Sequence, residues 1–514
     1  MQSLKGFTIY TKPRLTVEES YALYANIAAL GTTQELMDED AGFAVASALM
    51  HKHRQARMLF VCGTGGKGSI GLSAARHAML HADVEVVLIG SPSEIEKKST
   101  RLNYDLLNDM LDVHIITRDD IQEFRRLVKQ SDVIIDSIMG VGMRGRLSWL
   151  VINAIKAINA SGKYVVSIDV PSGVNANTGA MNVTAVEPDL VLAIHKIKVG
   201  VEKSVSSRSV TVLDGWIPAS AELFTGPGDV MLATEPRLLL TNKYGHGSVL
   251  VIGGGPVFKG APILGAYGAA NTFAALRTNS GYVTLMAPKS TAPAMSSMSA
   301  GLIVRSMASN ALQLQDINTV KEIKHDVLLF GPGIDIDMTG YRAFKALLDY
   351  EESAGNTVVV DGTGLRLLAK YKDLIGSNMV LTPHDSEFKA LSGAEVRDVP
   401  LEKRILAAID FAKNYGCTLV LKGHDTIITN GKLLKINRAK TPALATMGTG
   451  DVLAGMIASY SAIHKDLMDS AAAAVYVHST IGDMLYAQKG LHIIADDIIG
   501  ELPGMLKQFD VIAH

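Results

Sequence analysis

The chain is predicted to fold as two α/β domains, each organised on a mainly parallel sheet. Three observations lead there. Short runs rich in Val, Ile and Leu alternate with helical patterns along most of the sequence, as βαβ construction requires. Most of those runs end in glycine-rich or polar loops, where α/β sheets place their ligands. And 514 residues, 48% hydrophobic and only 6% aromatic, are too many for one ordinary core and suit two Ala/Val/Ile/Leu-rich units. The alternation lapses between Trp216 and Leu240, with turn chemistry at Thr225-Gly226-Pro227-Gly228-Asp229, which divides the chain into residues 1–225 and 226–514.

The formal net charge of −2 offers no basic excess, so neither nucleic acid nor an anionic membrane is expected as a partner, and any phosphate must be recognised locally. Cys62 and Cys417 each lie in an apolar run; buried free thiols in a reducing cytoplasm are expected, not a disulfide or a metal pair. Met1-Gln2-Ser3-Leu4-Lys5 leads into no signal-type apolar core, and no apolar stretch approaches the ~20 residues that span a bilayer. A soluble cytoplasmic protein is the expectation.

In the first half, residues from Thr16 to Lys52 read as helices, with Leu36 to Gly42 separating two amphipathic runs. Met58 to Cys62 is a short buried strand, and Gly63-Thr64-Gly65-Gly66-Lys67-Gly68-Ser69-Ile70-Gly71 turns from it into an Ala-rich helix, a nucleotide-binding type of unit. Strands follow at Val84 to Ile89, Val113 to Ile116, Val133 to Ile138, Tyr164 to Asp169 and Leu190 to Ile194, giving a parallel, doubly wound sheet. The run through Asp136 leads into Gly140-Val141-Gly142-Met143-Arg144-Gly145-Arg146, whose guanidiniums suit phosphate; the run ending at Asp169 leads into Val170-Pro171-Ser172-Gly173. Three such loops at three strand ends converge on one crevice, although Asp136 and Asp169 could equally brace their own loops.

The second half starts afresh at Tyr244-Gly245-His246-Gly247. Strands are expected at Ser248 to Ile252, Tyr282 to Met286, Val327 to Phe330, Thr357 to Val360, Met379 to Leu381 and Thr418 to Leu421, with a small-residue helix from Ala261 to Arg277. Their loops carry Gly331-Pro332-Gly333, Asp361-Gly362-Thr363-Gly364, Thr382-Pro383-His384-Asp385-Ser386-Glu387 and Lys422-Gly423-His424-Asp425-Thr426, and Asn430-Gly431 marks a tight hairpin. Thr446-Met447-Gly448-Thr449-Gly450-Asp451 then opens an apolar helix. Glycines admit a phosphate, the first helical N–H groups point at it, and Asp451 is placed to take a proton from a hydroxyl, or else merely caps the helix. His384 as a loop brace and Lys422 as a solvated strand-end charge are the corresponding plain readings.

From about Leu15 to Phe224 the sequence resembles the Rossmann-like epimerase domain of NAD(P)H-hydrate repair enzymes, through Glu39-Asp40-Ala41-Gly42, the first glycine loop, Gly140-Val141-Gly142 and Ser167-Ile168-Asp169-Val170-Pro171-Ser172-Gly173. The resemblance implies a pyrophosphate-bearing substrate bound by Gly66, Lys67, Gly68, Ser69, Ile70 and the Gly140–Arg146 loop, Asp169 as catalytic residue beside the nicotinamide ring, and potassium held partly by Asp136 and Ser172. One departure matters. The family's first loop reads Asn-Asn-Gly-Gly-Asp-Gly, and Lys67 stands where the potassium-contacting asparagine belongs. A tethered ammonium replacing the ion, a phosphate-binding lysine and a decayed site are the readings this leaves, and epimerase activity stays open.

Asn242 to Leu506 resembles the dehydratase half of the same enzymes, a branch of the ribokinase-like superfamily, through Gly253, Lys259-Gly260-Ala261, Gly331-Pro332-Gly333, Thr382-Pro383-His384 with Glu387, Leu421-Lys422-Gly423 and Gly448-Thr449-Gly450-Asp451-Val452-Leu453-Ala454-Gly455. Asp361-Gly362-Thr363-Gly364-Leu365-Arg366 and Ser386 are minor departures. The resemblance implies that Ala261, Gly333, His384 and Asp451 contact the hydrated nucleotide. It also implies that Lys422, Gly423, His424, Asp425, Thr426 and Gly450 hold ADP or ATP, with Mg2+ on the phosphates and Asp451 as catalytic base. The alternative is a ribokinase-type small-molecule kinase with a silent N-terminal module. The Ala-rich stretch Ala471 to Val477 suits a subunit interface as well as a core, and a homo-oligomer is expected.

Overall fold

The structure is a computed structural model that describes residues 2–143, 145–204, 209–213, 217–239, 245–254, 278, 280–297, 301, 303–334 and 340–513. It divides into two compact units, Lys12–Pro218 and a second made of Met1–Thr11 with Ala219–His514. Sequence reasoning gave no hint that the first residues belong with the second unit. Leu4 and Phe7, on the 3-10 turn Gln2–Tyr10, are buried in its core beside Leu223, which explains the assignment.

The first unit contains strands β1 (Arg57–Gly63), β2 (Asp83–Ile89), β3 (Val113–Ile116), β4 (Val133–Ser137), β5 (Tyr164–Ile168), β6 (Leu190–Ile194) and β7 (Ser209–Leu213). All pair in parallel, in the order β3-β2-β1-β4-β5-β6-β7. The order reverses between β1 and β4, and the crevice beyond their carboxyl ends is where such a sheet binds ligands. Alternate residues of β1 face opposite layers: Met58, Phe60 and Cys62 join the core under helices Gln34–His53 and Gly66–Ala78, while Leu59 and Val61 face helices Ile121–Gln130 and Trp149–Asn159. The edge strand β7 was not anticipated. Residues 36–42, expected between two helices, lie inside the continuous helix Gln34–His53, which Thr33 caps. Gly42 there serves close packing: a Cβ on it would come within 2.3 Å of Ser73 Oγ.

The second unit contains β8 (Arg237–Leu238), β9 (Ser248–Ile252), β10 (Tyr282–Ala287), β11 (Ile303–Ser306), β12 (Val327–Phe330), β13 (Thr357–Val360), β14 (Met379–Leu381), β15 (Thr418–Leu421), β16 (Asp425–Thr429), β17 (Leu434–Arg438) and β18 (Ile512–Ala513). Nine of them form one sheet, β11-β10-β9-β12-β13-β14-β15-β16-β17, parallel up to β15 and antiparallel through β16 and β17; β8 and β18 pair separately. The β16–β17 hairpin is closed by Asn430–Leu433 and not by a two-residue turn. Asn430 Oδ1 accepts from the N–H groups of Lys432 (3.0 Å) and Leu433 (2.8 Å), and Gly431 takes φ +81°. Ala471 to Val477, inside helix Leu467–Lys489, contributes mostly buried residues to this unit's own core, so the Ala-rich stretch is not a free surface. The small-residue stretch Ala261 to Arg277 lies outside the described residues. Among the described residues no helix is long and apolar enough to cross a membrane.

Candidate active sites

In the second unit the parallel strands β12, β13, β14 and β15 are neighbours, so the loops after them line one edge of the sheet. Lys422, just past β15, is the centre. Its Nζ lies 2.8 Å from Asp361 Oδ1, just past β13, and the same carboxylate oxygen accepts from Thr382 Oγ1 at 2.6 Å. Arg404 donates to the Lys422 carbonyl at 2.7 Å and pairs with Asp385, fixing the strand end from behind. Burial works against the charged form of Lys422, but Asp361 and Glu387 outweigh it and hold its pKa above the ordinary lysine value.

Helix Thr449–Ile463 brings Asp451 to this cluster. Gly448 starts the helix at φ +89°, a conformation that costs a side chain energy, and His478 donates its buried Nε2–H to the Thr449 carbonyl at 2.9 Å. Burial keeps that imidazole neutral, its pKa pushed down to about 4. Asp451 is pushed the other way, up to about 7, first by burial and then by the Asp361 carboxylate, with Lys422 opposing. A carboxylate titrating at neutral pH beside a half-buried ammonium is suited to taking a proton from a hydroxyl. Gly450 leaves Lys422 room, because a Cβ there would sit 3.3 Å from Nζ.

The expected ligand residues are distributed unevenly. Lys422, Gly450 and Asp451 come together. His384 caps helix Asp385–Ser392, its backbone N–H donating to Glu387 Oε2 at 3.0 Å and its Nδ1 accepting from Ser386 N at 3.2 Å, while half the ring stays exposed. It therefore braces a loop, and its Nε2 lies 3.4 Å from Glu387 Oε2. Gly333 holds φ +67° after β12. Asp425 pairs with Arg438 at 2.6 Å, Thr426 Oγ1 donates to Gly423 O at 3.0 Å, and His424 is exposed on the hairpin. Ala261 lies outside the described residues. Sequence reasoning missed Asp361, Thr382 and His478 as site residues. The first two stand directly after strands, which is the signal that would have found them.

In the first unit a cavity of about 1150 Å³ opens at the β1–β4 switch point, large enough for a dinucleotide. Gly66, Lys67, Ile70, Gly140, Val141, Gly142, Met143 and Asp169 line it; Gly68 and Ser69 are buried and do not line it, Gly145 and Arg146 are exposed outside it, and Arg144 is outside the described residues. Asp169 takes φ +60°, and its Oδ1 accepts from Lys198 Nζ at 2.7 Å and from Ile194 N at 3.0 Å. Lys198 is buried and holds two carbonyls besides; it was not foreseen, because it stands four residues beyond the end of β6. Tyr24 also lines the cavity, its hydroxyl pushed well up by burial and by Asp169.

Asp136 and Ser172 meet, Ser172 Oγ donating to Asp136 Oδ1 at 2.5 Å, and the Lys67 ammonium lies against both. Lys67 Nζ lies 2.9 Å from Asp136 Oδ2, 2.7 Å from the Val170 carbonyl and 3.2 Å from Ser172 Oγ. A potassium ion on Asp136 and Ser172 does not fit these residues, because the ammonium already takes the oxygens such an ion would need. Burial pulls the Lys67 pKa below the ordinary lysine value, and Asp136 opposes that pull.

Together these features define an α/β enzyme with two candidate ligand sites, one an acid–base cluster at the strand ends of the second sheet and the other a glycine-lined crevice. The family described as NAD(P)H-hydrate dehydratase matches residues 249–504, and the YjeF-related protein N-terminus matches residues 33–200. A bifunctional NAD(P)H-hydrate repair enzyme of Pyrobaculum aerophilum is 32% identical over 508 residues, covering 96% of this chain and 98% of its own. Its counterpart from Methanopyrus kandleri is 32% identical, covering 96% of each chain. Among solved structures, the ADP/ATP-dependent NAD(P)H-hydrate dehydratase of Bacillus subtilis, co-crystallized with ATP and Mg2+, is 24% identical with a TM-score of 0.44 over 55% of this chain and 96% of that one. The chain belongs to the family of bifunctional NAD(P)H-hydrate repair enzymes.

Proposed function

We propose that the second unit removes water from the S form of hydrated NAD(P)H at the expense of ADP or ATP, and that the first interconverts the R and S hydrates. The observation that carries the dehydratase reading is the Asp361–Lys422–Asp451 cluster, in which Asp361 is buried, Lys422 and Asp451 are half-buried, and the Asp451 carboxyl is raised to about 7. Hydroxide leaves poorly, so the hydroxyl must first be made a phosphate ester. Asp451 takes the hydroxyl proton as that oxygen bonds to the terminal phosphorus and the bond to the nucleotide's bridging oxygen breaks. Lys422 balances the charge gathering on the phosphoryl oxygens. The ring nitrogen's lone pair then expels inorganic phosphate, and loss of a proton from the adjacent carbon to the departing phosphate restores the dihydropyridine. His384 and Gly333 contact the hydrated ring, and the hairpin at Gly423–Thr426 lies on the nucleotide side.

Among the described residues no cluster of three His, Cys, Asp or Glu is placed to hold a metal alone. Mg2+ usually rides on nucleotide phosphates with one or two carboxylates, a part Asp361 and Glu387 would take here. When bound it would neutralise phosphate charge. In the first unit Asp169 takes the ring hydroxyl's proton as the bond from the hydrated carbon to the ring nitrogen opens to an aldehyde and the nitrogen gains a proton; the nitrogen then closes on the other face of the carbonyl, giving up its proton as the oxygen regains one, with Lys198 fixing the Asp169 orientation. The test is incubation of mixed R and S NADH hydrates with Mg2+ and either ADP or ATP, following NADH absorbance and phosphate. Full recovery of absorbance supports both activities, recovery of half supports the dehydratase alone, and a stable phosphoester without NADH would make the protein a kinase.

A further inference from the structure

We infer that the Lys67 ammonium is a built-in monovalent cation, held by Asp136, Val170 and Ser172, which frees the first unit's active site from any need for dissolved potassium. The inference rests on the epimerase reading of that unit and deepens it. An ammonium has three donors, and Lys67 finds three oxygens: Asp136 Oδ2 at 2.9 Å, Val170 O at 2.7 Å and Ser172 Oγ at 3.2 Å. A carboxylate, a carbonyl and a hydroxyl form the kind of oxygen set that replaces the hydration shell of a monovalent cation. Lys67 lines the cavity, yet its side chain is only 4% exposed and its three donors are taken by these oxygens, so the charge is spent within the cage and not on a substrate phosphate.

The surroundings are built for this tether. Asp136 is saturated from the other directions: Oδ1 accepts from Ser172 Oγ at 2.5 Å and Ile138 N at 3.2 Å, and Oδ2 from Ser167 Oγ at 2.7 Å and Ser172 N at 2.9 Å. The Lys67 stem passes over Gly140, where a Cβ would lie 3.2 Å from Lys67 Cβ and 3.4 Å from its Cδ. The Val170 carbonyl that the ammonium holds directly follows Asp169, whose φ of +60° needs the next peptide fixed; Val170 N donates back to Ile168 O at 2.7 Å. The cation therefore sets the backbone that aims the Asp169 carboxylate into the cavity. Lys67 is a positioning residue, acting through Val170 on Asp169.

The test uses the full chain and three variants. Epimerisation of purified R-NADH hydrate is measured without nucleotide, so that the dehydratase is silent, in KCl, NaCl or choline chloride at equal ionic strength. Thermal melting is followed in the same buffers. The unaltered enzyme should be indifferent to the choice of salt. Lys67→Ala should lose activity by about 10²-fold in choline, the scale of a misplaced reacting group, and regain it, together with a higher melting temperature, in KCl or ammonium chloride. Lys67→Met, whose chain still fills the space, should be restored by neither. If the alanine variant does not fold, Lys67→Asn is read in the same way. Potassium stimulation of the unaltered enzyme would overturn the inference, as would an opened cage whose melting and rate ignore potassium. Should the unaltered enzyme not epimerise at all, potassium-dependent melting of Lys67→Ala would uphold the cation site while retiring the epimerase reading.

Discussion

Replacing the proposed base should make the protein both inactive and more stable, and the second effect can be sized. Burial and the Asp361 carboxylate lift Asp451 from 3.8 to about 7, a little over three units. Between those values the folded protein keeps a proton that the unfolded chain has lost, so stability falls as pH rises through the window and the full deficit is reached above about pH 7. At 1.36 kcal/mol per unit the deficit is about 4 kcal/mol at pH 8 and about 1.5 kcal/mol at pH 5. Asp451→Asn removes the ionisation and keeps the shape. Its stability gain over the unaltered enzyme should therefore grow by about 2–3 kcal/mol from pH 5 to pH 8, measured by denaturant or thermal unfolding of the second unit's transition. Turnover should fall by about 10²–10⁴, with nucleotide binding retained. Undiminished turnover would refute the assignment of the base, and a stability difference independent of pH would refute the claim that Asp451 is held in an environment hostile to its charge.

Three further outcomes follow from the same contacts. Dehydration at saturating substrates should rise about tenfold from pH 6 to pH 8, as the base form of a group titrating near 7 goes from a tenth to nine tenths of the population, and Asp361→Asn should move the midpoint to lower pH. Lys422→Met should move it to higher pH, because the ammonium that opposes the raised Asp451 pKa is gone; a midpoint unmoved in either variant would show that the three groups do not act together. Asp169→Ala strands the Lys198 ammonium in a site where it is 1% exposed, so it should destabilise the first unit by about 3–5 kcal/mol, visible as an earlier unfolding transition, whereas Asp169→Asn should cost less because its amide oxygen still accepts.

Much of the fold could be read in advance because local patterns carried it. Strand runs such as Val327–Phe330 and Leu190–Ile194 fall where their hydrophobic patterns placed them, because buried parallel strands leave a continuous apolar run. The segment 36–42 misled because Gly42 resembles a turn residue, while its reason for being glycine is Ser73 on another helix. The edge strand β7 exposes Thr211 and Val212, so no continuous apolar run announces it. At the sites, strand-end loops pointed to Lys422, Asp451, Asp136 and Asp169. Asp361 stood in one of those loops, but its pairing with Lys422 is set only by the fold, and Lys198 went unmarked because it stands past its strand and its partner Asp169 comes from another loop.

The sequence alone determined that there would be two mainly parallel sheets, which loops would lie at their carboxyl ends, and the family to which they belong. Those properties depend on hydrophobic period and on glycines at short range, and both are written residue by residue. Only the tertiary structure decided where the charges go. Lys67 stands in a glycine loop, where a phosphate ligand commonly sits, yet its four-carbon stem carries the ammonium into a cage made by residues 69, 103 and 105 positions away. Asp451 has the same side chain as any aspartate, and its neutral pKa comes from burial and from Asp361, brought to it across the sheet edge. Electrostatic energy depends on distance and desolvation, and both are properties of the folded chain.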